Sequence, residues 1–200
     1  MAINLQKGQR ISLEKEAPGL TRVMCGLGWD IAQKSGGGFL GIFGGTPDYD
    51  LDASVICLNE QGKVPNKSDV VYFGNLRHPS GAIVHLGDNL TGEGEGDDEQ
   101  VIVDLPLIPA YISRLVFVVN IYNCVSRQQD FGQVQNAFVR LVDTATHKEI
   151  ARYNLSGREY QGKTGTIVAE VYRHSNEWKM AAIGDGISAN GLEDLVRSYM

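Results

Sequence analysis

The sequence predicts an all-β fold in which two sheets pack as a β-sandwich, followed by a single C-terminal helix. About ten short segments alternate between apolar and polar residues, which is the pattern of strands with one buried face. Turns are frequent, because 24 of the 200 residues are glycine. Helical spacing is confined to the last ten residues. The composition shows no internal repeat and no linker, so we predict one domain over residues 1–200.

In the first half of the chain, two predicted strands carry acidic residues at one end. The apolar run at 22–29 indicates a buried strand, and Asp30 follows it directly. Residues 48–58 alternate, so the aspartates at positions 48, 50 and 52 would point to one side at the mouth of a strand. Further strands or strand ends are predicted at 3–13, 70–73 and 82–86.

The second half is predicted to contain six strands and the helix. The apolar residues at 115–119 mark the strand at 114–122 as a central one. The link that precedes it, 106–113, is long enough for a single helical turn. The other strands are predicted at 100–105, 137–142, 149–155, 166–173 and 178–183. A helix over 191–200 would place Leu192, Leu195, Val196 and Tyr199 on one side.

The negative charge is concentrated in a few segments. Removing the ten acidic residues within 30, 48–52 and 88–99 from a chain of net charge −6 leaves +4 for the rest. Acidity confined in this way is typical of a cation site and not of a general solubilising surface. The chain has no basic run and no basic helix face, so we expect no nucleic-acid partner.

The N-terminus and the cysteines bear on localisation. Residues 1–8 lack the charged start and apolar core of a signal peptide. No apolar run approaches the roughly 20 residues of a membrane-spanning helix. The three cysteines, Cys25, Cys57 and Cys124, are odd in number and far apart. This pattern favours reduced, buried thiols over reactive ones and predicts a cytoplasmic protein.

The most distinctive segment runs from 88 to 99. It has six carboxylates in twelve residues, no lysine or arginine, and three glycines that allow the backbone to fold back. Carboxylates a few Å apart repel each other by about 1 kcal/mol per pair even in a water-like medium. The segment is therefore either extended and solvated or closed around a cation. Its carboxylates belong to Asp88, Glu93, Glu95, Asp97, Asp98 and Glu99.

Calcium fits these donors best. Ca²⁺ accepts about six to eight oxygen ligands in irregular geometry, whereas Mg²⁺ needs a strict octahedron and zinc prefers nitrogen and sulfur. The Asn89 amide and backbone carbonyls add to the carboxylates, and ten acids suffice for two ions. An EF-hand at 48–59 is excluded, because Ala53 replaces its glycine and Asn59 its last glutamate. The ligands would instead come from three loops, at 28–30, 48–52 and 88–99.

Two nucleotide-binding patterns lack the context that their chemistry requires. Residues 157–164 have the spacing of a phosphate loop, but the β-branched residues that follow predict a strand where that loop needs a helix. We interpret this segment as a hairpin connection. The glycines within 35–47 match a dinucleotide fingerprint without a strand–helix–strand unit around them. That loop also carries bulky apolar side chains, which either tuck onto the domain or contact a membrane or a partner.

Five motifs spread over almost the whole chain carry a family resemblance. They are KEAPGL at 15–20, GLGWD at 26–30, DLDAS at 50–54, GDNLTGEGEGDDE at 87–99 and FGQVQNAF at 131–138. In these motifs the chain resembles the TerD tellurium-resistance family. The resemblance implies a β-sandwich that binds two Ca²⁺, in a bacterial cytoplasmic stress protein associated with resistance to tellurite, phage and colicins. It also implies no known catalytic activity and work within a larger, membrane-associated complex.

Carried over position by position, the family's acidic motif falls on all three loops and includes Glu95. One departure is the loop at 35–47, which is longer and richer in glycine than the link expected between the second and third motifs. It leaves Asp48 outside the predicted ligand set and offers a place for a partner of this chain's own. The candidate metal ligands are Asp30, Asp50, Asp52, Asp88, Asn89, Leu90, Glu93, Asp97, Asp98 and Glu99.

We therefore expect a non-enzymatic, calcium-binding interaction module. Its partners would be proteins of a stress-resistance complex, and its location the cytoplasm or the periphery of the inner membrane. The alternative is a metal-assisted phosphoester hydrolase, which needs an open metal position and a nearby base. The acidic segment offers no lysine, arginine or histidine for that role. The four histidines are scattered and are interpreted as surface or core residues, so no catalytic residue is predicted.

Overall fold

The computed structural model describes residues 2–31, 49–87, 96–155, 157–175 and 177–200, with the backbone alone for residues 30 and 31. Within these residues, twelve strands form two sheets of six, as the sequence predicts for a β-sandwich. The strands are β1 (Ile3–Asn4), β2 (Arg10–Ser12), β3 (Arg22–Ile31), β4 (Leu51–Leu58), β5 (Val70–Val71), β6 (Ile83–His85), β7 (Glu99–Asp104), β8 (Arg114–Ile121), β9 (Val134–Asp143), β10 (Lys148–Asn154), β11 (Gly165–His174) and β12 (Glu177–Ile187).

Strand pairing is almost entirely antiparallel. The first sheet has the order β1-β10-β9-β3-β7-β6, and the second has the order β2-β12-β11-β8-β4-β5. The pair β1 and β10 is parallel. Strand β8 lies between β11 and β4, which confirms its predicted central position. Each of the four edge strands is two or three residues long.

Helical structure in the described residues is limited to short pieces. Besides single 3₁₀ turns, one of them in the link before β8, the helices are α1 (Leu13–Glu16), α2 (Cys124–Arg127) and α3 (Leu192–Arg197). The C-terminal helix is confirmed, although it spans six residues instead of the ten predicted. The other two are single turns, which are too short for their periodicity to show in a sequence. No helix in the described parts of the chain is long and apolar enough to cross a membrane.

The second sheet is buried on both faces where α3 covers it. Every residue of β4 is buried. Cys57 faces the other sheet in the main core, whereas its neighbour Ile56 belongs to a second apolar cluster with Leu195 and Val196 of α3. Successive side chains of a strand point to opposite faces, so β4 contributes to both clusters.

The three cysteines are buried and unpaired, as predicted. Burial raises the pKa of the thiols of Cys25 and Cys57 above its ordinary value, because the apolar surroundings disfavour the thiolate. Neutral thiols are poor nucleophiles, so these two residues act as small apolar core residues.

The segment at 157–164 is a connection between sheets and not a hairpin. It contains a 3₁₀ turn at Arg158–Tyr160, and β11 begins at Gly165. The strand that precedes it, β10, lies in the first sheet, whereas β11 lies in the second. A strand after Lys163-Thr164 confirms that this is not a phosphate loop, but the hairpin prediction was wrong because the two flanking strands do not pair.

Candidate metal site

Three acidic segments meet at one end of the sandwich, where β3 ends and where β4 and β7 begin. Trp29 joins all three. Its backbone amide donates a 2.9 Å hydrogen bond to Oδ2 of Asp98, and its indole Nε1 donates a 3.1 Å hydrogen bond to the carbonyl of Tyr49. The side chain is buried. A tryptophan with a satisfied N–H in the core therefore holds the acidic segments against one another.

Glu99 connects the two sheets from the inside. Its side chain is fully buried, and its Oε2 accepts a 2.6 Å hydrogen bond from the amide of Ala53 on β4. Nε2 of His85 lies 3.5 Å from the same oxygen and 3.2 Å from the carbonyl of Ala53. Since the amide of Gly87 donates to Nδ1 of His85, the proton of a neutral ring is on Nε2. That proton points toward the carbonyl and the carboxylate.

Asp50 and Asp52 are buried at the start of β4, with exposed fractions of 4% and 3%. Oδ2 of Asp52 accepts a 3.1 Å hydrogen bond from Nδ2 of Asn120, its partner across the ladder between β4 and β8. Nη1 of Arg127 lies 3.9 Å from Oδ2 of Asp50. Part of the negative charge buried at this end of β4 is thus offset by a guanidinium.

Asp52 and Glu99 lie on different sides of the second sheet. Ala53 belongs to the main core between the sheets, so Asp52 beside it points to the outer face. Glu99, by contrast, reaches the second sheet from the interior. Among the described residues, no three histidine, cysteine or acidic side chains form a group that would hold a metal ion.

Asp97 forms an ion pair with Arg140 of β9. Nε of the guanidinium lies 2.7 Å from Oδ1 and Nη2 lies 2.9 Å from Oδ2, and the side chain of Asp97 is fully buried. This two-point contact raises the pKa of Arg140 above its usual range. Both oxygens of this predicted ligand therefore face a guanidinium.

Two glycines of β3 make room for the acidic segment. A Cβ on Gly26 would lie 2.3 Å from Cγ of Asp97, and one on Gly28 would lie 2.7 Å from the carbonyl of Gly96. The amide of Asp98 donates to the carbonyl of Leu27, so residues 96–98 continue the pairing of β7 with β3. Residues 96 and 97 approach the backbone of β3 so closely that only glycine fits at positions 26 and 28 of the motif at 26–30.

The predicted ligands fall into two groups. Asp50, Asp52, Asp98 and Glu99 surround the junction of β3, β4 and β7, and Asp97 is paired with Arg140 close by. The side chain of Asp30 and the whole of Asp88, Asn89, Leu90 and Glu93 lie outside the described residues, as do Glu95, Asp48 and the loop at 35–47.

Sequence reasoning missed the partners of these acids. Arg140 and Asn120 are polar residues within strands that alternate, and nothing local shows that each meets an aspartate far away in the chain. The signal available was weak, namely a polar residue between apolar neighbours in an otherwise buried strand. His85 is 2% exposed, which agrees with the prediction that each histidine is a surface or core residue.

A second polar cluster involves the buried Asp69 and His78 together with the exposed Ser80. Nε2 of His78 lies 2.9 Å from Oδ1 of Asp69, and Oγ of Ser80 lies 2.8 Å from Nδ1. The order of carboxylate, imidazole and hydroxyl is that of a catalytic triad. However, the amides of Gly81 and Ala82 already donate to His78 and to Ser80 Oγ, so they are not available for an oxyanion hole. We interpret the cluster as a hydrogen-bonded turn.

The comparison with known proteins identifies the family of this chain. A family model described as the TerD domain matches residues 1–199. The chain belongs to the TerD family. The motif-based resemblance is therefore confirmed, and in this TerD chain the last two residues of the acidic motif, Asp98 and Glu99, lie at the junction described above.

Relatives of this TerD chain are known from several bacteria. It is 52% identical over 202 aligned positions to "Stress response protein SCP2" of Bacillus subtilis (strain 168), with 100% of both chains covered. It is 40% identical over 199 positions to "Tellurium resistance protein TerD" of Serratia marcescens, which covers 100% of this chain and 97% of that one. A crystal structure of a TerD homologue from Streptomyces coelicolor A3(2) has a TM-score of 0.67 at 23% identity, covers 86% of this chain and 92% of that chain, and supports the fold.

Proposed function

We propose that this TerD protein is a non-enzymatic, calcium-binding protein of the bacterial tellurite and stress resistance system. It binds about two Ca²⁺ through its acidic segments. Once loaded, it acts as an interaction module for proteins of a resistance complex, in the cytoplasm or at the periphery of the inner membrane. The names of its relatives, which refer to stress response and to tellurium resistance, support the physiological setting.

One observation carries the calcium proposal: hydrogen bonds from Trp29 and Ala53 hold the beginnings of β4 and β7 against the end of β3. Every acidic segment named from the sequence has an end at this junction. Within the described residues, Asp98 and Glu99 contribute carboxylates from the first sheet, and Asp50 and Asp52 contribute carboxylates at the start of β4, where Asp52 points to the face opposite to that of Glu99. A donor set made of oxygens suits a hard cation of irregular coordination, which is the character of Ca²⁺.

Burial of these carboxylates also favours a cation. Asp50, Asp52 and Glu99 are each less than 5% exposed, and taking an ionised carboxylate out of water is costly unless positive charge lies nearby. Arg127 provides part of that charge at 3.9 Å from Asp50. Asp97 fits the ligand set less well, since Arg140 holds both of its oxygens. The remaining proposed ligands are Asp30, Asp88, Asn89, Leu90 and Glu93.

The direct test is isothermal titration with Ca²⁺, followed by Mg²⁺ in competition. We expect about two Ca²⁺ per chain, weak competition by Mg²⁺, and a melting temperature that rises with calcium because the ion binds the folded state. The double variant Asp88→Asn/Asp98→Asn should lose most of this shift. Glu60→Gln, which changes an exposed acid outside the acidic segments, is the matched control. An unchanged melting temperature, or an equal shift in the double variant, would overturn the proposal.

The interaction role needs a separate measurement. Vesicles that contain anionic lipid should sediment the protein in the presence of Ca²⁺ and not with EGTA, if bound calcium bridges to lipid headgroups. Neutral vesicles are the control. If the protein sediments without Ca²⁺, or does not sediment with either kind of vesicle, the membrane-peripheral role is wrong. The interaction role would then be limited to calcium-stabilised binding to proteins.

A further inference from the structure

A pocket of about 430 Å³ lies at the end of β4 that is remote from the acidic junction. Asn59, which directly follows the last residue of β4, lines this pocket, whereas Asp52 lies near the first. The strand has eight residues, so about 20 Å of strand separates the two places. Small-molecule sites typically have volumes of about 300–1,000 Å³. The pocket is therefore large enough for a small ligand and distinct from the candidate metal site.

A buried carboxylate fixes two of the residues that line the pocket. The hydroxyl of Tyr111 donates a 3.0 Å hydrogen bond to Oδ1 of Asp69, which is 1% exposed. Asp69 also accepts from the backbone amide and from Nδ2 of Asn66, at 2.9 and 3.0 Å. Tyr111 is nevertheless 48% exposed. Its ring is thus held at the hydroxyl end and is ordered before any ligand binds, with part of its surface open for stacking.

The side-chain amide of Asn59 is held in one orientation. Its Oδ1 accepts hydrogen bonds of 3.0 Å from the backbone amides of Gln61 and Lys63, which closes the turn after β4. Since only the oxygen of the amide can accept, its NH₂ group is directed away from these two donors. Within the described ranges, neither this NH₂ group nor the side chain of Gln61 has a hydrogen-bond partner. Both amides are therefore available to a ligand in the pocket.

The chemistry of the lining selects the class of ligand. Its polar groups are neutral apart from the carboxylate of Glu60, and none of the described residues that line it is basic. A phosphate or carboxylate ligand would therefore meet no counter-charge. Side-chain amides both donate and accept, which matches the hydroxyl group, while an aromatic face packs against C–H groups. An uncharged molecule that combines several hydroxyl groups with an apolar ring face satisfies both requirements.

We propose that this pocket binds a neutral pyranose sugar whose hydroxyl groups are equatorial. Equatorial hydroxyl groups leave C–H groups on both faces of the ring, so one face packs on Tyr111. The hydroxyl groups at the edge of the ring form hydrogen bonds with the side-chain amides of Asn59 and Gln61. Sugar binding here does not depend on calcium, and its test is carried out in EGTA so that its failure is separate from a failure of the calcium site.

The test is an NMR titration of the ¹⁵N-labelled chain with three probes: methyl β-D-glucopyranoside, the matching methyl β-D-glucuronide and sorbitol. The glucuronide adds a carboxylate to the same ring, and sorbitol keeps the hydroxyl groups without a ring. We expect saturable shifts of the amides near residues 59–63 and 110–112 with the glucoside. The other two probes should bind at least about fivefold more weakly. Equal affinity of all three, or no saturable shift with up to about 50 mM glucoside, would overturn the proposal.

Variants locate the sugar and separate the two kinds of contact. Tyr111→Ala removes the ring and should weaken glucoside binding by about fivefold or more, whereas Tyr111→Phe keeps the ring and should stay within about twofold of the parent chain. Asn59→Asp keeps the oxygen that closes the turn and removes the NH₂ donor, so binding should weaken by about threefold or more.

The control variant is Val125→Ala, at an exposed apolar residue that does not line the pocket. It should leave glucoside binding unchanged. If Tyr111→Ala and Asn59→Asp both bind the glucoside as tightly as the parent chain, the sugar binds elsewhere and the proposal is wrong. A loss in Tyr111→Phe as large as that in Tyr111→Ala would contradict stacking on the ring.

Discussion

Glu99 and Ala53 are joined by a 2.6 Å hydrogen bond that crosses the interior of the sandwich, from a side chain of the first sheet to a backbone amide of the second. The bond ties the end of the acidic motif to the strand that carries Asp50 and Asp52. A carboxylate that is fully buried and bonded in this way affects stability as well as any metal bound nearby.

Glu99→Leu should lower the free energy of unfolding by about 1–3 kcal/mol in calcium-free buffer, because the buried amide of Ala53 loses its acceptor. The loss is measured by urea unfolding in EGTA. Glu60→Gln, at an exposed glutamate, should change stability by less than about 0.5 kcal/mol. Equal stability of the two variants would show that the hydrogen bond contributes little.

Arg140→Ala should destabilise the protein by about 2–4 kcal/mol, since it leaves the buried carboxylate of Asp97 without its guanidinium. The double variant Asp97→Asn/Arg140→Ala should be less destabilised than the sum of the two single variants. Arg197→Ala, which removes a side chain that is 72% exposed, is the control and should have a small effect. Additive single effects would contradict a direct coupling between Asp97 and Arg140.

Gly26→Ala should cost about 1–3 kcal/mol, because the new Cβ would meet the carboxylate of Asp97 at 2.3 Å. The carboxylate cannot easily give way while Arg140 holds both of its oxygens. At Gly191 nothing lies within 4 Å of the added Cβ, so Gly191→Ala serves as the matched control. Thermal unfolding of both variants separates the clash from the general effect of replacing glycine.

The ion pairs of Glu149 should make the stability of the folded protein depend on pH. Arg152 at 2.8 Å, and then Arg140, lower the pKa of the Glu149 carboxyl below its ordinary value. A lowered folded-state pKa contributes stability that is present above the unfolded-state pKa and is lost as the pH falls through the folded-state value. The difference in the free energy of unfolding between the parent chain and Glu149→Gln should therefore be largest near neutral pH. It should shrink as the pH falls below the pKa of an ordinary glutamate. A difference that grows on acidification would contradict this.

The thiols should be inert in the folded protein. Burial raises the pKa of Cys25 and Cys57, and Cys124 is also buried. Thiolates are the reactive species, so we expect little reaction with a disulfide reagent at about pH 8 in native buffer, and three reactive thiols after addition of guanidinium. A thiol that reacts rapidly in the native protein would show local opening around it.

The alternation of apolar and polar residues made most of the strands predictable. The predicted strands with a polar face toward water match the observed strands to within a few residues, and the apolar run at 115–119 lies in a central strand, as predicted. Alternation could not show that β4 is buried on both faces, because the second apolar layer comes from α3, more than 130 residues away. A covering element that is distant in sequence leaves no periodic signal in the strand that it covers.

The candidate site was predictable as a set of segments and not as a set of side chains. Asp97 and Asp98 are neighbours in one acidic run, yet Asp98 accepts from Trp29 and Asp97 turns to Arg140. Their different roles depend on the space left by Gly26 and on a guanidinium contributed by β9. Both are long-range contacts, which local sequence patterns do not encode.

The short edge strands have a consequence for how this protein meets other molecules. β1, β2, β5 and β6 each offer two or three residues at the margin of a sheet. Such margins give little backbone for another chain to pair with, so they protect against edge-to-edge aggregation. They also make it unfavourable for a partner to bind by adding a strand. We therefore expect recognition of this protein to depend on side chains and loops more than on strand addition.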